Sequence, residues 1–107
     1  EPASTMNERL HQRRRLIDEM NRLAETVLPS RATDDPRYPV SDDHCFKRIA
    51  FDAAAGGKWS ASIRRPFYRY ATDEEIRTAI RVLQEMTDDP ERAVTLNRAS
   101  LSYRRTP

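Results

Sequence analysis

Apolar residues recur every three or four positions across the first quarter of the chain. Between Met6 and Leu28 they form one stripe along a helix, with charged residues at most of the other positions. The stripe consists of Met6, Leu10, Leu16, Ile17, Met20, Leu23, Ala24, Val27 and Leu28. This spacing predicts a long amphipathic helix. We expect Pro29 to end it, because a proline ring has no amide hydrogen and clashes with the preceding turn.

A second helical pattern begins after Ser41, a residue type favoured at the helix N-cap. Two aspartates follow it, where negative charge complements the helix dipole. Apolar residues then recur to about Ala55, and the next two residues are glycines, which tolerate the positive φ of a helix C-cap. We therefore predict a central helix ending near Ala55, with an apolar face of Cys45, Phe46, Ile49, Ala50 and Ala53.

Two further helices are marked by their start signals. Thr72 and Glu75 have the spacing of a capping box, in which each side chain accepts from the other residue's backbone amide. Asp89 before Pro90 is a second start signal, because proline suits the first helical position. Apolar residues follow both signals at helical spacing, so we predict helices over residues 73–86 and 90–103.

The predicted fold class is all-α, a small bundle of three to four principal helices with a long first helix. Residues 29–40 contain three prolines, so we expect an extended connection without core residues. Strand character is limited to a short pairing of residues 66–70. The length of 107 residues suits one domain over 6–107. We interpret residues 1–5 as an appended remnant or a disordered start.

Charge, cysteine content and hydropathy argue against a disulfide-bonded protein, a membrane-spanning protein and a protein with a general attraction to nucleic acid. The net charge is only +2, although 17 of the 19 basic residues are arginines, so no general attraction to nucleic acid is expected. The single Cys45 cannot form an internal disulfide. No apolar run approaches the roughly 18 residues of a membrane span. We expect a reduced, soluble, cytoplasmic protein that does not bind membranes.

The segment from Lys58 to Tyr70 alternates positive and aromatic side chains and contains no acid. Such a mixture carries most of the binding energy at protein interfaces, and it also suits a phosphate backbone whose bases stack on aromatic rings. The alternative is that Trp59, Phe67 and one tyrosine fill the core. The candidate binding surface consists of Lys58, Trp59, Arg64, Arg65, Phe67, Tyr68, Arg69 and Tyr70.

A secondary basic patch lies near the C-terminus, at Asn97, Arg98, Arg104 and Arg105. The last two predicted helices are joined by a short turn, as in a helix-turn-helix whose second helix reads DNA. Two aspartates in that turn and acids at the start of the preceding helix would repel phosphate. We therefore treat this patch as a secondary candidate for contacts with a nucleic-acid backbone.

Catalytic and ligand-binding motifs are weak. Cys45 near a helix start could carry a reactive thiolate, but the adjacent His44 points about 100° away along a helix and is poorly placed as its base. We interpret Cys45 as a buried structural residue. One cysteine and two distant histidines, His11 and His44, lack the spacing of a metal site. Gly-Gly-Lys at 56–58 lacks the longer loop of a nucleotide-binding P-loop. We assign no catalytic residue, metal or cofactor.

Three functions remain. The first is a non-enzymatic accessory or regulatory module that binds another protein through the aromatic and arginine residues of 58–70, with a homodimer through helix 6–28 as one arrangement. The second is a nucleic-acid-binding protein that uses the same segment and the C-terminal basic patch. The third is a thiol-dependent enzyme at Cys45.

Overall fold

In the computed structural model, which describes the backbone of residues 2–105 and the side chains from Thr5 to Arg105, the chain is all α-helical with no strand in that range. The predicted fold class is confirmed. A π-helical turn, Leu23–Val27, follows the first helix, and a 3₁₀ turn, Trp59–Ala61, follows the third. The helices are α1 (Pro2–Arg22), α2 (Leu28–Asp34), α3 (Asp43–Ala55), α4 (Phe67–Tyr70), α5 (Asp73–Asp88) and α6 (Pro90–Ser102).

Pro29 does not end the first helix. It lies in the first turn of α2, and the π-helical turn before it connects α1 to α2 without a break. In this wider turn the Leu28 amide donates to the Leu23 carbonyl, five residues earlier rather than four. A proline ring clashes with the carbonyl four residues before it in an α-helix, and the wider turn accommodates that ring. The prediction of a stop at Pro29 is therefore wrong, and helical structure continues to Asp34.

The connection between α2 and α3 is shorter than predicted, because only residues 35–42 lie outside the helices. It also contributes to the core, contrary to the prediction. The Tyr38 ring packs edge-on against Phe46, with centroids 6.2 Å apart. The Tyr38 hydroxyl donates to the Met86 carbonyl over 2.7 Å. These contacts attach the connection to α3 and α5.

The N-terminal half of α1 does not join the core. The helix begins at Pro2, ahead of the predicted start at Met6. Met6 and Leu10 are 55% and 57% exposed, whereas Met20 is buried. The apolar stripe of the first helix therefore packs against the rest of the molecule only in its second half.

The core lies around α3, which packs against α5, α6 and the π-helical turn, while α1 packs against α5. This central position agrees with the broad apolar face of α3. Burying such side chains is the main favourable contribution to folding. The fully buried large apolar side chains are Met20, Leu28, Phe46, Ile49, Ile76, Leu83 and Met86.

Apart from the end predicted at Pro29, the helix ends follow the predicted signals except at the start of α3. Thr72 and Glu75 form the capping box at α5, since the Glu75 amide donates to Thr72 Oγ1 over 3.0 Å and the Thr72 amide donates to Glu75 Oε1 over 2.7 Å. Asp89 caps α6, and Gly56 ends α3 with a φ of 72°. At α3 the N-cap is Asp42 rather than the preceding serine, and its side chain makes no capping hydrogen bond.

Candidate functional site

The segment from Lys58 to Tyr70 divides into a buried and an exposed part. Trp59, Ile63 and Phe67 turn inward and are 9%, 7% and 3% exposed. The rings of Phe51 and Phe67 stack with centroids 3.8 Å apart, and Trp59 meets them edge-on at 5.5 and 5.6 Å. The assignment of Trp59 and Phe67 to an exposed surface is therefore wrong, because this small core uses its large aromatic side chains for packing.

The remaining predicted residues of the segment face solvent. Pro66 precedes α4, a single helical turn that replaces the strand pairing considered for residues 66–70. Phe67 and Ala71 are four positions apart and both buried, so the residues between them point outward. We call the exposed set the basic-aromatic surface, and it consists of Lys58, Arg64, Arg65, Tyr68, Arg69 and Tyr70.

Three arginines of the basic-aromatic surface lie against aromatic rings. The Arg65 guanidinium carbon is 5.1 Å from the Trp59 ring centroid, and those of Arg64 and Arg69 are 4.8 and 5.6 Å from the Tyr70 centroid. Cation–π contacts of this length are attractive and limit the freedom of the guanidinium. No carboxylate between residues 5 and 105 forms an ion pair with these arginines or with the segment's lysine. The surface therefore presents positive charge that the fold does not neutralise locally.

Arg13 of α1 holds α4 in position. Its guanidinium donates to the carbonyl oxygens of Tyr68 over 2.7 Å and of Ala71 over 2.8 Å, and to Asp73 Oδ1 over 2.6 Å. The carbonyls at the end of a helix have no partner within it, so a long cationic side chain from another helix can satisfy them. Arg13 therefore lies between α1 and α4 and positions the basic-aromatic surface.

An apolar cleft of about 270 Å³ lies between the basic-aromatic surface and the helices α1 and α3. Its rim carries Arg65 and Tyr68 on one side and Lys47 of α3 on the other. Lys47 is neutralised by an ion pair with Glu25. Sequence inspection did not assign the contributions of α1 and α3 to this site, because only packing brings them to the segment. The floor of the cleft is made of Met20, Phe51, Trp59 and Phe67.

The secondary basic patch at the C-terminus does not form as predicted. Arg104 pairs with Asp52 of α3, a carboxylate that is only 1% exposed. Asn97 accepts a hydrogen bond from Arg48 over 2.8 Å. Both residues are therefore occupied within the fold, because α6 packs its polar side against α3. Of the predicted set, only Arg98 and Arg105 are exposed.

Asp52 is the centre of a buried polar network that sequence inspection missed. It accepts from the Trp59 amide over 3.0 Å and from the Ser100 hydroxyl over 2.5 Å, in addition to Arg104. Arg48 donates to the same hydroxyl over 2.6 Å. The sequence does contain a signal for it, because Asp52 lies one helical turn after the apolar Ile49 and so on the same face of the predicted helix. A carboxylate on a buried face requires hydrogen-bond partners. This network joins α3, α6 and the start of the basic-aromatic segment.

Cys45 was expected to be a buried structural residue, and it is half-buried. Its thiol lies near an Asp42 oxygen and a His44 ring nitrogen, all within 4.8 Å of one another. His44 Nδ1 lies 3.4 Å from Asp43 Oδ1. The pKa of Asp43 is lowered, first because it accepts a hydrogen bond from the His44 backbone amide. These three exposed or half-exposed side chains are one ligand short of the four that form a closed structural zinc site. That the protein holds no metal stays a prediction.

No protein-family model, no curated protein and no solved structure shows significant similarity to this chain. Among the helices that the structure describes, none is both long enough and apolar enough to cross a membrane.

Proposed function

We propose that the protein is a small non-enzymatic accessory or regulatory module that binds another protein through the apolar cleft and the basic-aromatic surface beside it. The observation that carries this proposal is the cleft of about 270 Å³, with an apolar floor and a rim of arginine and tyrosine. Apolar anchors that fill pockets, surrounded by arginine and tyrosine, dominate the energetics of protein interfaces. A cytoplasmic location, suggested by the single cysteine, is part of the same proposal.

A protein partner is favoured over nucleic acid because few aromatic rings of the site have a face that is exposed and free of other contacts. Binding of single strands requires aromatic faces on which bases stack. Trp59 is buried, and Tyr70 is already in contact with Arg64 and Arg69. Only Tyr68, which is 53% exposed, has no such contact in the basic-aromatic surface. The surface is therefore poor in stacking positions, although its cations could still contact phosphate.

A thiol-dependent enzyme is a weaker alternative. His44 lies beside the carboxylates of Asp42 and Asp43, and no hydrogen bond joins it to Cys45 within residues 5–105. Nucleophilic catalysis by cysteine relies on a base that takes the thiol proton or stabilises the thiolate. The Cys45 thiol and a His44 ring nitrogen lie within 4.8 Å of one another without a hydrogen bond between them, and Cys45 does not line the cleft.

Self-association through the first helix remains part of the proposal. Met6 and Leu10 lie on the apolar stripe and are more than half exposed. Covering them with a second copy would complete the stripe that the fold leaves open. Sedimentation equilibrium should then give twice the monomer mass, and Leu10→Glu should restore the monomer.

The main test compares matched surface variants in a binding experiment. Arg65→Glu and Tyr68→Ala alter the cleft rim, while Arg77→Glu and Tyr103→Ala make the same changes at exposed positions outside it. Immobilised protein is incubated with lysate of the source organism, and retained proteins are identified and then purified for direct titration. We expect one partner to bind the original protein and both control variants, and to be lost from both rim variants.

The same experiment separates the alternatives. Retained material that survives protease, disappears with nuclease and weakens steeply with salt would establish the nucleic-acid function instead, since phosphate contacts release counterions. A protein that binds all four variants equally would show that the cleft is not the interface. Circular dichroism of each variant confirms that the helical fold is retained.

A further inference from the structure

The chemistry of the cleft specifies which kind of segment it takes. We infer that the cleft selects a stretch of the partner in which an apolar side chain stands next to a carboxylate, with Arg65 as the residue that binds the carboxylate. This inference rests on the proposed function, because it requires a protein partner. It adds the orientation and the sequence preference of the bound segment.

The size and floor of the cleft fit one apolar side chain. Sites for drug-sized molecules occupy about 300–1,000 Å³, and this cleft, at about 270 Å³, is below that range. Its floor is formed by the aromatic cluster of Phe51, Trp59 and Phe67 together with Met20. The lining also includes Asn21, its one uncharged amide side chain. Because the buried part of the lining is apolar and aromatic, a single aliphatic or aromatic side chain is its natural occupant.

The charge on the rim is asymmetric. Lys47 on the α3 side pairs with Glu25 and is neutralised. Arg65 on the opposite side forms no ion pair with any acid of residues 5–105. Arg64 and Arg69 lie in the same segment and add positive charge to the basic-aromatic surface, although they do not line the cleft. An acidic group on the partner therefore finds its complement at the Arg65 side of the cleft rather than at the Lys47 side.

The Arg65 guanidinium is restrained by the Trp59 ring in a position that suits binding of a planar anion. Its guanidinium carbon lies 5.1 Å from the centroid of Trp59, which itself forms part of the cleft floor. A guanidinium restrained over a ring keeps its N–H edge available, and that edge matches a carboxylate with two parallel hydrogen bonds. Because the restraint exists before binding, less side-chain entropy is lost when the carboxylate arrives. The floor and the charged rim thus belong to one recognition unit.

The test is a selection of peptides on the intact protein. A phage-displayed library of random dodecapeptides is panned against the original protein and against Arg65→Gln, with Arg77→Gln as the control. We expect the original protein and the control to enrich peptides in which an apolar residue adjoins an aspartate or glutamate. Arg65→Gln should enrich apolar peptides without that acid.

One enriched peptide then provides a quantitative check. Replacing its acid with the matching amide should weaken binding to the original protein by about tenfold or more, as expected for a hydrogen bond to a charged group. With Arg65→Gln the same replacement should change the affinity by less than about twofold. Arg65→Lys, which keeps the charge but loses the fork, should fall between them.

The outcomes separate the two proposals. Peptides that bind in the cleft, compete with the natural partner and show no acid preference would overturn the inference and leave the proposed function standing. Failure to enrich any peptide that depends on Tyr68, a rim residue outside the carboxylate contact, would overturn both. Equal loss of affinity on acid-to-amide replacement in the original protein and in Arg65→Gln would assign the carboxylate to another cation.

Discussion

Removing the buried carboxylate of Asp52 should be among the most damaging single substitutions in the molecule. Asp52 is 1% exposed and accepts from the Trp59 amide, the Ser100 hydroxyl and the Arg104 guanidinium. In Asp52→Ala the Trp59 amide and the Ser100 hydroxyl lose this acceptor, while Arg104 keeps its hydrogen bond to the Ser100 carbonyl over 3.2 Å. An unsatisfied buried donor costs about 1–3 kcal/mol.

The location of each donor sets the expected magnitude. The Trp59 amide and the Ser100 hydroxyl belong to buried residues and cannot recover a hydrogen bond from water easily. The Arg104 side chain is 28% exposed, so its guanidinium can be rehydrated and contributes little to the loss. We therefore expect Asp52→Ala to lower the free energy of unfolding by about 3 kcal/mol. Asp52→Asn, which keeps an acceptor for the Trp59 amide, should lose about half as much.

Urea unfolding provides the measurement. Far-ultraviolet circular dichroism reports the helices, and the fluorescence of Trp59, the only tryptophan, reports the end of the segment that Asp52 holds. Asp18→Ala, an exposed acid of α1, is the matched control and should stay within about 0.5 kcal/mol. A loss below about 1 kcal/mol for Asp52→Ala would refute the reasoning that this carboxylate joins α3, α6 and the basic-aromatic segment.

Three further predictions concern the support of the candidate site. Arg13→Ala should cost about 2 kcal/mol in urea unfolding, because the Tyr68 and Ala71 carbonyls lose a charged donor, and a cost equal to that of Arg14→Ala would contradict this. Trp59→Ala should cost about 3–5 kcal/mol through the cavity it leaves in the aromatic cluster; an unchanged midpoint would show that the ring is not core. Burial raises the pKa of Tyr38 above its ordinary value of 10.0. The contribution of Tyr38 to the free energy of unfolding should therefore be fully present below pH 10.0 and be lost as the pH rises above it. Tyr38→Phe should reduce that alkaline loss of stability, measured by denaturation at a series of pH values.

Helix positions were largely predictable because their signals are local. The capping box of Thr72 and Glu75 and the C-cap of Gly56 depend on neighbouring residues only, and both formed as expected. Pro29 was misjudged because its effect depends on the turn before it, and a π-helical turn relieves the clash that normally ends a helix. Tyr38 was misjudged because a connection becomes part of the core only through contacts with distant helices.

The candidate site was only half predictable. Composition identified residues 58–70 as unusual, but arginine and aromatic content is the same whether a ring packs inward or outward. The direction was decided by α4, whose single turn places Phe67 inside and Tyr68 outside. Arg13 likewise could not be distinguished from Arg14 in the sequence, since its partners are carbonyls on another helix.

Periodicity, capping residues and composition are local properties, and they are sufficient to predict the helical class, most of the helix ends and the concentration of positive charge in residues 58–70. Packing between helices sets which aromatic rings are buried, which arginines pair within the fold and which stay on the surface, and where a cleft forms. Those outcomes require side chains from α1 and α3 to meet the segment across the core. Burial and pairing are energies between residues far apart in the chain, so the pattern of any one segment does not contain them.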